Sequence, residues 1–117
     1  MDTRHVLGRR GEDIAVRAYQ RDGYAIVARN FRCSTGEIDV IARRGRKLVF
    51  CEVKTRATDF FGEPSEAVTR VKQARLRRLA AAWLSLHPAP GMELRFDVVS
   101  VIADRQGTRV TRLEDAF

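Results

Sequence analysis

The sequence predicts an α/β domain with a mixed β-sheet flanked by helices, in the order α-β-β-β-α-β-β. Three observations carry this. Two segments repeat apolar residues at helical spacing, one in the first third of the chain and one past its middle. The stretch KLVFCEVKT is apolar at consecutive positions, as a strand buried on both faces is. Glycine-containing turns punctuate the remaining short apolar runs. At 117 residues, one domain spanning 1–117 is expected, large enough for one core and too short for two.

The first helix is expected over 8–22, with Leu7, Ile14, Ala15 and Ala18 on one stripe and Gly23 as its stop. A strand follows over 24–32, around Ile26, Val27 and Phe31. Ser34-Thr35-Gly36 turns the chain into a second strand over 37–43, read as GEIDVIA. Arg44-Gly45-Arg46 is a tight turn, so residues 47–55 return as the hairpin partner and form the centre of the sheet. Phe60, Phe61 and Gly62 fall in a loop. Ser65 is the expected N-cap of a long helix to about Leu86, with the stripe Val68, Val71, Leu76, Leu79, Trp83 and Leu86. HPAPG ends it. A strand over 94–102 and a short one over 109–113 complete the order, joined at Gln106-Gly107.

Composition limits the function classes. Hydrophobic residues make up 44% of the chain, which excludes a disordered protein. No apolar run approaches the roughly 20 residues of a membrane helix, and Met1 to Arg10 lacks the apolar core of a secretion signal. A cytoplasmic location without membrane partner is expected. Cys33 and Cys51 form no CxxC pair, and only His5 and His87 could assist them, so neither a zinc site nor a disulfide is expected. Cys51 reads as a small core residue. Lys and Arg total 22 against 15 acids, a net charge of +7. The excess is mostly arginine, which pairs bidentately with phosphate and suits a polyanion such as nucleic acid.

Charged groups inside expected strands carry the chemistry. Asp39 lies between Ile38 and Val40, and Glu52 and Lys54 lie in the central strand. A buried unpaired carboxylate costs several kcal/mol or shifts its pKa. Residues two apart share a strand face, so Glu52 and Lys54 stand roughly 7 Å apart on one side. Pairing about Gly45 brings Asp39 beside Glu52, so two carboxylates and an ammonium converge. Hard oxygen ligands of this kind suit Mg²⁺ or Mn²⁺ and metal-assisted phosphodiester hydrolysis, with Lys54 stabilising developing charge or helping to orient the attacking water. The alternative is a structural ion pair, which leaves one carboxylate unmatched. Glu12 stands at the rim of the first helix's apolar stripe, where it either reaches the sheet edge or serves as a first-turn acid. Lys72 falls on the apolar stripe of the second helix with Arg75 at its edge. They either contact phosphate, together with Arg56 after the central strand, or snorkel. Phe60 and Phe61 are read as core packing, with base stacking and a homodimer interface as alternatives.

These motifs carry a resemblance. GEIDVIA, a hairpin and then FCEVKTR resemble the acid-then-(D/E)xK pattern of the restriction-endonuclease-like superfamily. GRRGEDIAVRAY, NFRCSTGEIDVIA, LVFCEVKTR and the G-x-P-x-EAV-x-x-x-K run from Gly62 to Lys72 are similar to the bacterial YraN family of predicted endonucleases, over nearly the full length. That family in turn resembles archaeal Holliday junction resolvases. The resemblance implies a restriction-endonuclease-like core and a metal-dependent endonuclease acting on structured or branched DNA. Asp39 and Glu52 would be metal ligands, Lys54 the catalytic lysine and Glu12 an additional acid. The superfamily's Pro-Asp is Ile-Asp here. The competing expectations are a nucleic-acid-binding protein that keeps the fold without catalysis, and an assembly module whose acidic patch binds a protein.

Overall fold

The computed structural model describes residues 3–56 and 69–117, with side chains of the first helix described from Arg9 onward. The elements are α1 (Thr3–Arg21), β1 (Ala25–Cys33), β2 (Gly36–Arg44), β3 (Lys47–Arg56), α2 (Arg70–Leu86), β4 (Glu93–Asp104) and β5 (Gly107–Leu113). This is the expected α-β-β-β-α-β-β order. The five strands form one sheet in the order β1-β2-β3-β4-β5. β3 and β4 run parallel from Lys47↔Glu93 to Arg56↔Ile102, and every other neighbouring pair is antiparallel. A parallel pair needs a crossover connection, and α2 lies within it. The sheet is therefore mixed, with β3 at its centre.

The two helices cover opposite faces. Ala15, Val16 and Tyr19 of α1 pack on Val40, Ala42, Val49, Cys51, Val99 and Val101. Leu76, Leu79, Ala80 and Trp83 of α2 pack on Ile38, Ile41, Leu48, Phe50 and Phe96. β3 thus feeds both cores: Val49 and Cys51 point to α1, Leu48 and Phe50 to α2. This is why its sequence is apolar at consecutive positions. Cys51 is fully buried, as expected, and both cysteines are free.

The second helix departs from expectation. Its N-cap is Thr69, in an extended conformation, whose hydroxyl accepts from the Lys72 N–H at 3.2 Å. The helix therefore starts at Arg70, and Ser65 lies outside the described residues, as do Phe60, Phe61, Gly62 and Val68. Val71 and Leu86 are 77% and 67% exposed, so they are not part of the packed stripe. With only Leu76, Leu79, Ala80 and Trp83 buried, the apolar face spans two turns in the helix middle. β4 is longer than expected at both ends. The last turn is Arg105-Gln106, so Gly107 opens β5.

Packing of α1 is fixed at one close approach. A Cβ on Gly11 would lie 1.9 Å from Thr55 Oγ1 and 3.0 Å from Thr55 Cβ. The glycine lets the helix backbone rest directly on the end of β3, which sets the height of Glu12 above the sheet. Across the same layer, Asp97 is wholly buried yet fully matched. It accepts from Tyr19 Oη at 2.7 Å, from Arg95 Nε and NH2 at 2.9 Å each, and from the Asp115 N–H at 3.0 Å. Four donors on one carboxylate offset its desolvation. Among the described residues no helix is long and apolar enough to cross a membrane.

Candidate metal centre

Strand alternation slips within β2, and the slip builds the site. Ile38 and Ile41 both pack under α2, while Val40 and Ala42 pack under α1. An odd spacing on one face means that one residue has been absorbed between them. Asp39 is that residue: like Val40, it turns toward the α1 side. β1 accommodates the slip. The pairs Arg29↔Val40 and Phe31↔Ile38 place Asn30 opposite Asp39, and Asn30 has a left-handed backbone, φ 53°. Asn tolerates that region better than most residues.

Three acids converge as a result. One carboxylate oxygen from each of Glu12, Glu37 and Asp39 lies within 4.8 Å of the others. Glu12 comes from α1, Glu37 and Asp39 from β2. They line a cavity of about 340 Å³ with Arg9, Asn30 and Arg32. The Asn30 amide, oriented with its NH2 toward the acids, donates to Glu37 Oε1 at 2.7 Å and to Glu12 Oε1 at 2.9 Å. Arg32 Nε lies 3.2 Å from Glu37 Oε2, and Arg29 lies 3.9 Å from Glu12 Oε2 while bonding Asp13 at 2.8 Å. The Asp39 carboxylate accepts from the Val53 N–H at 2.7 Å.

These contacts leave negative charge in excess. Burial pushes the Asp39 carboxyl up to about 7; the Val53 N–H opposes the shift, and Glu12, Glu37 and Glu52 add to it. Burial, followed by the charge of Glu37, also raises Glu12, with Arg29 and Asn30 opposing. Such a cluster binds either a proton or a cation. Hard carboxylate oxygens are the ligands that Mg²⁺ and Mn²⁺ prefer, at about 2.1 Å for Mg²⁺. Two ligand atoms across such an ion stand roughly 4.2 Å apart, so the present spread closes with a small side-chain adjustment. The residues fit a divalent cation.

Glu52 and Lys54 follow along β3. Alternation turns both to the α2 side, while the Val40↔Cys51 pair makes Glu52 the next residue opposite Asp39, as the hairpin about Gly45 implies. Lys54 Nζ is 3.3 Å from Glu52 Oε1, and Arg75 NH2 is 3.9 Å from the same oxygen. Glu52 Oε2 is buried without a hydrogen-bond partner among the described residues. Glu52 still acts on Asp39 electrostatically, as the smallest of the causes that raise it. Asp39 and Glu52 therefore flank the point where β2 and β3 part, one on each side. Lys72 is half-buried, and burial followed by the nearby Lys54 charge lowers its pKa. Lys72 and Arg75 thus belong to the Glu52 side. Arg56 ends β3 with its side chain half-buried.

Of the two places left open for Glu12, the structure has the one toward the sheet, with a carboxylate oxygen within 4.8 Å of one on Asp39; Glu37 and Asn30 were not expected in the cluster. The signal for Glu37 was present: it stands two residues before Asp39, hence on the same strand face. Nothing in the sequence marked the slip that turns Asn30 inward.

Residues 11–101 match the family described as Uncharacterised protein family UPF0102. The chain belongs to that family. It is 54% identical over 112 residues to a UPF0102 protein of Parafrankia sp. (strain EAN1pec), covering 95% of each chain. A UPF0102 protein of Streptomyces griseus is 51% identical over 113 residues, covering 95% of this chain and 94% of its own. One from Beutenbergia cavernae is 51% identical over 107 residues, covering 92% and 91%.

Proposed function

We propose that this protein is a divalent-metal-dependent endonuclease that hydrolyses phosphodiester bonds in structured or branched DNA. One observation carries the proposal: Glu12, Glu37 and Asp39 gather three carboxylate oxygens within 4.8 Å in a cavity edged by arginines. A bare structural cluster would raise the energy of the fold for no return, since Asp39 and Glu12 are both pushed toward the protonated form. The motif order, GEIDVIA followed by FCEVKTR, resembles the restriction-endonuclease-like superfamily and supports the same reaction. Glu12, Glu37 and Asp39 would hold Mg²⁺ or Mn²⁺. When bound, such an ion polarises a phosphoryl oxygen and makes a bound water more acidic.

The chain's own groups do the remaining work. Asn30 donates to Glu12 and Glu37 and keeps their oxygens together. The Val53 N–H orients Asp39. Arg9 and Arg32 line the cavity and supply charge that draws a phosphodiester toward it. Glu52 adds negative charge from the other side of the parting strands. The test is cleavage of linear, flap and four-way DNA substrates with Mg²⁺, Mn²⁺ or chelator. Metal-dependent cleavage abolished by Asp39→Asn supports the proposal, and no cleavage under any condition contradicts it.

The net charge of +7 favours a second reading, in which the protein binds nucleic acid without cutting it. Salt-dependent binding with no effect of metal would be its signature. A cytoplasmic location and a DNA rather than RNA partner complete the proposed picture.

A further inference from the structure

The sheet is open, so β1 and β5 are its edges. The outer backbone groups of an edge strand form a row on which another strand can pair. β1 is guarded against this. Its register shifts between Ile26 and Ala28, and Asn30 has φ 53°; such irregularities interrupt pairing. β5 carries no such guard. It pairs with β4 without a shift from Asp104↔Gly107 to Val98↔Leu113. It holds no proline, and Thr108, Val110 and Thr111 are β-branched. Charge on an edge repels a newcomer, but both arginines of β5 are already matched within the chain. Arg109 donates to Asp104 at 2.9 Å, and Arg112 donates to Asp22 and, at 2.8 Å, to Glu114. Among the described residues no strand pairs with the outer side of β5.

The turn at Arg105-Gln106 fixes which backbone groups face outward. It closes on the pair Asp104↔Gly107. Gly107, Arg109, Thr111 and Leu113 therefore exchange hydrogen bonds with β4, and the N–H and C=O of Thr108, Val110 and Arg112 point away from the sheet. Val110 is the midpoint of β5 (Gly107–Leu113). An antiparallel copy of β5 centred on Val110 matches each outward group: Val110 meets Val110, and Thr108 meets Arg112. No arginine stands directly opposite an arginine, which would be destabilising. Beside the strand, between it and α1, a groove of about 410 Å³ is lined by Ala18, Arg21, Asp22, Val110, Arg112 and Glu114. It leaves room for side chains of an added strand. Val110 is 42% exposed, and the copy's Val110 would cover it.

We propose that β5 is a self-association surface: two copies of this chain pair through β5, antiparallel about a twofold axis at Val110, and join their sheets into one. The contact is isologous, each copy giving and receiving the same groups. The inference goes beyond the endonuclease reading, because pairing needs neither metal nor nucleic acid. The acidic cluster on α1 and β2 lies toward the β1 edge, so pairing leaves it open.

The experiment is sedimentation velocity in EDTA across a concentration series. Wild type should pass from monomer to dimer as concentration rises. Val110→Lys and Val110→Glu each set like charges face to face at the axis, and each should weaken self-association by about tenfold or more. An equimolar mixture of the two variants sets Lys against Glu and should recover a dimer with one copy of each. Recovery also shows that both variants fold. Wild type that stays monomeric at every concentration, variants that dimerise like wild type, or a mixture that stays monomeric would overturn the proposal.

Discussion

The backbone N–H of Val53 donates to Asp39 Oδ2 at 2.7 Å, so a side chain stands where β2 would otherwise offer a carbonyl. The ladder between β2 and β3 runs from Arg44↔Lys47 to Val40↔Cys51. Beyond it the strands part, and Asp39 fills the gap. An acid that replaces a backbone acceptor is held firmly, because moving it strands a strand N–H.

That placement has a stability consequence. The Asp39 carboxyl titrates at about 7 in the folded protein, against about 4 in an unfolded chain. Between those values the folded state holds a proton that the unfolded state has released. Stability contributed by this group is therefore fully present below about pH 4 and is lost as pH rises to about 7. Asp39→Asn removes that dependence and keeps an oxygen to accept from Val53. The variant should be more stable than wild type at pH 8, by an amount on the order of 1 kcal/mol, and should show no gain at pH 4. Thermal melts across this range measure it. A variant less stable at pH 8 would mean that the Asp39 charge is structural.

Gly11 is the second test. Its missing side chain lets α1 rest on Thr55. Gly11→Ala should cost about 1–3 kcal/mol, as overpacking does, although alanine favours helices. Because Glu12 follows directly, metal affinity should fall as well. Thr55→Ala removes the Oγ1 and should recover part of the loss in the double variant. Denaturant melts of the two single variants and the double measure it; a Gly11→Ala variant as stable as wild type would contradict the close contact with Thr55.

The buried Asp97 should respond to loss of one donor. Tyr19→Phe removes the 2.7 Å hydrogen bond and leaves the Arg95 and Asp115 donors. The expected cost is about 1–2 kcal/mol, with no change in metal binding. A larger cost accompanied by lost metal binding would tie this network to the acidic cavity.

Much of the fold was legible because single residues report their surroundings. Val49, Phe50 and Cys51 in succession mark a strand between two helices, and β3 is one. Gly45 sits in the hairpin turn at φ 59°. The extent of α2 was not legible. Val71 and Leu86 match the helical period, but packing ends before them, since periodicity says nothing about how far a partner surface extends. Half of the site was legible for a similar reason. Asp39 and Glu52 stood out as charges among apolar neighbours. The β2–β3 register sets Asp39 opposite Glu52, as a hairpin about Gly45 implies, but alternation does not say which helix each side chain faces. The slip between Ile38 and Ile41, matched by the left-handed Asn30, sends Asp39 to Glu12 and leaves Glu52 with Lys54. Such a slip depends on two strands together, and neither strand's own pattern records it.

The central claim is that Glu12, Glu37 and Asp39 form one cation site. Glu37 tests it best, because it is half-buried at the start of β2 with its side chain 32% exposed, and its loss should disturb the fold little. Titration calorimetry with Mn²⁺ at pH 8, on wild type and on Glu37→Gln, is the direct measurement. The account predicts saturable binding by wild type and affinity at least tenfold weaker in the variant, about 1.4 kcal/mol or more. Equal affinity in the two proteins, or no binding by wild type, would contradict it.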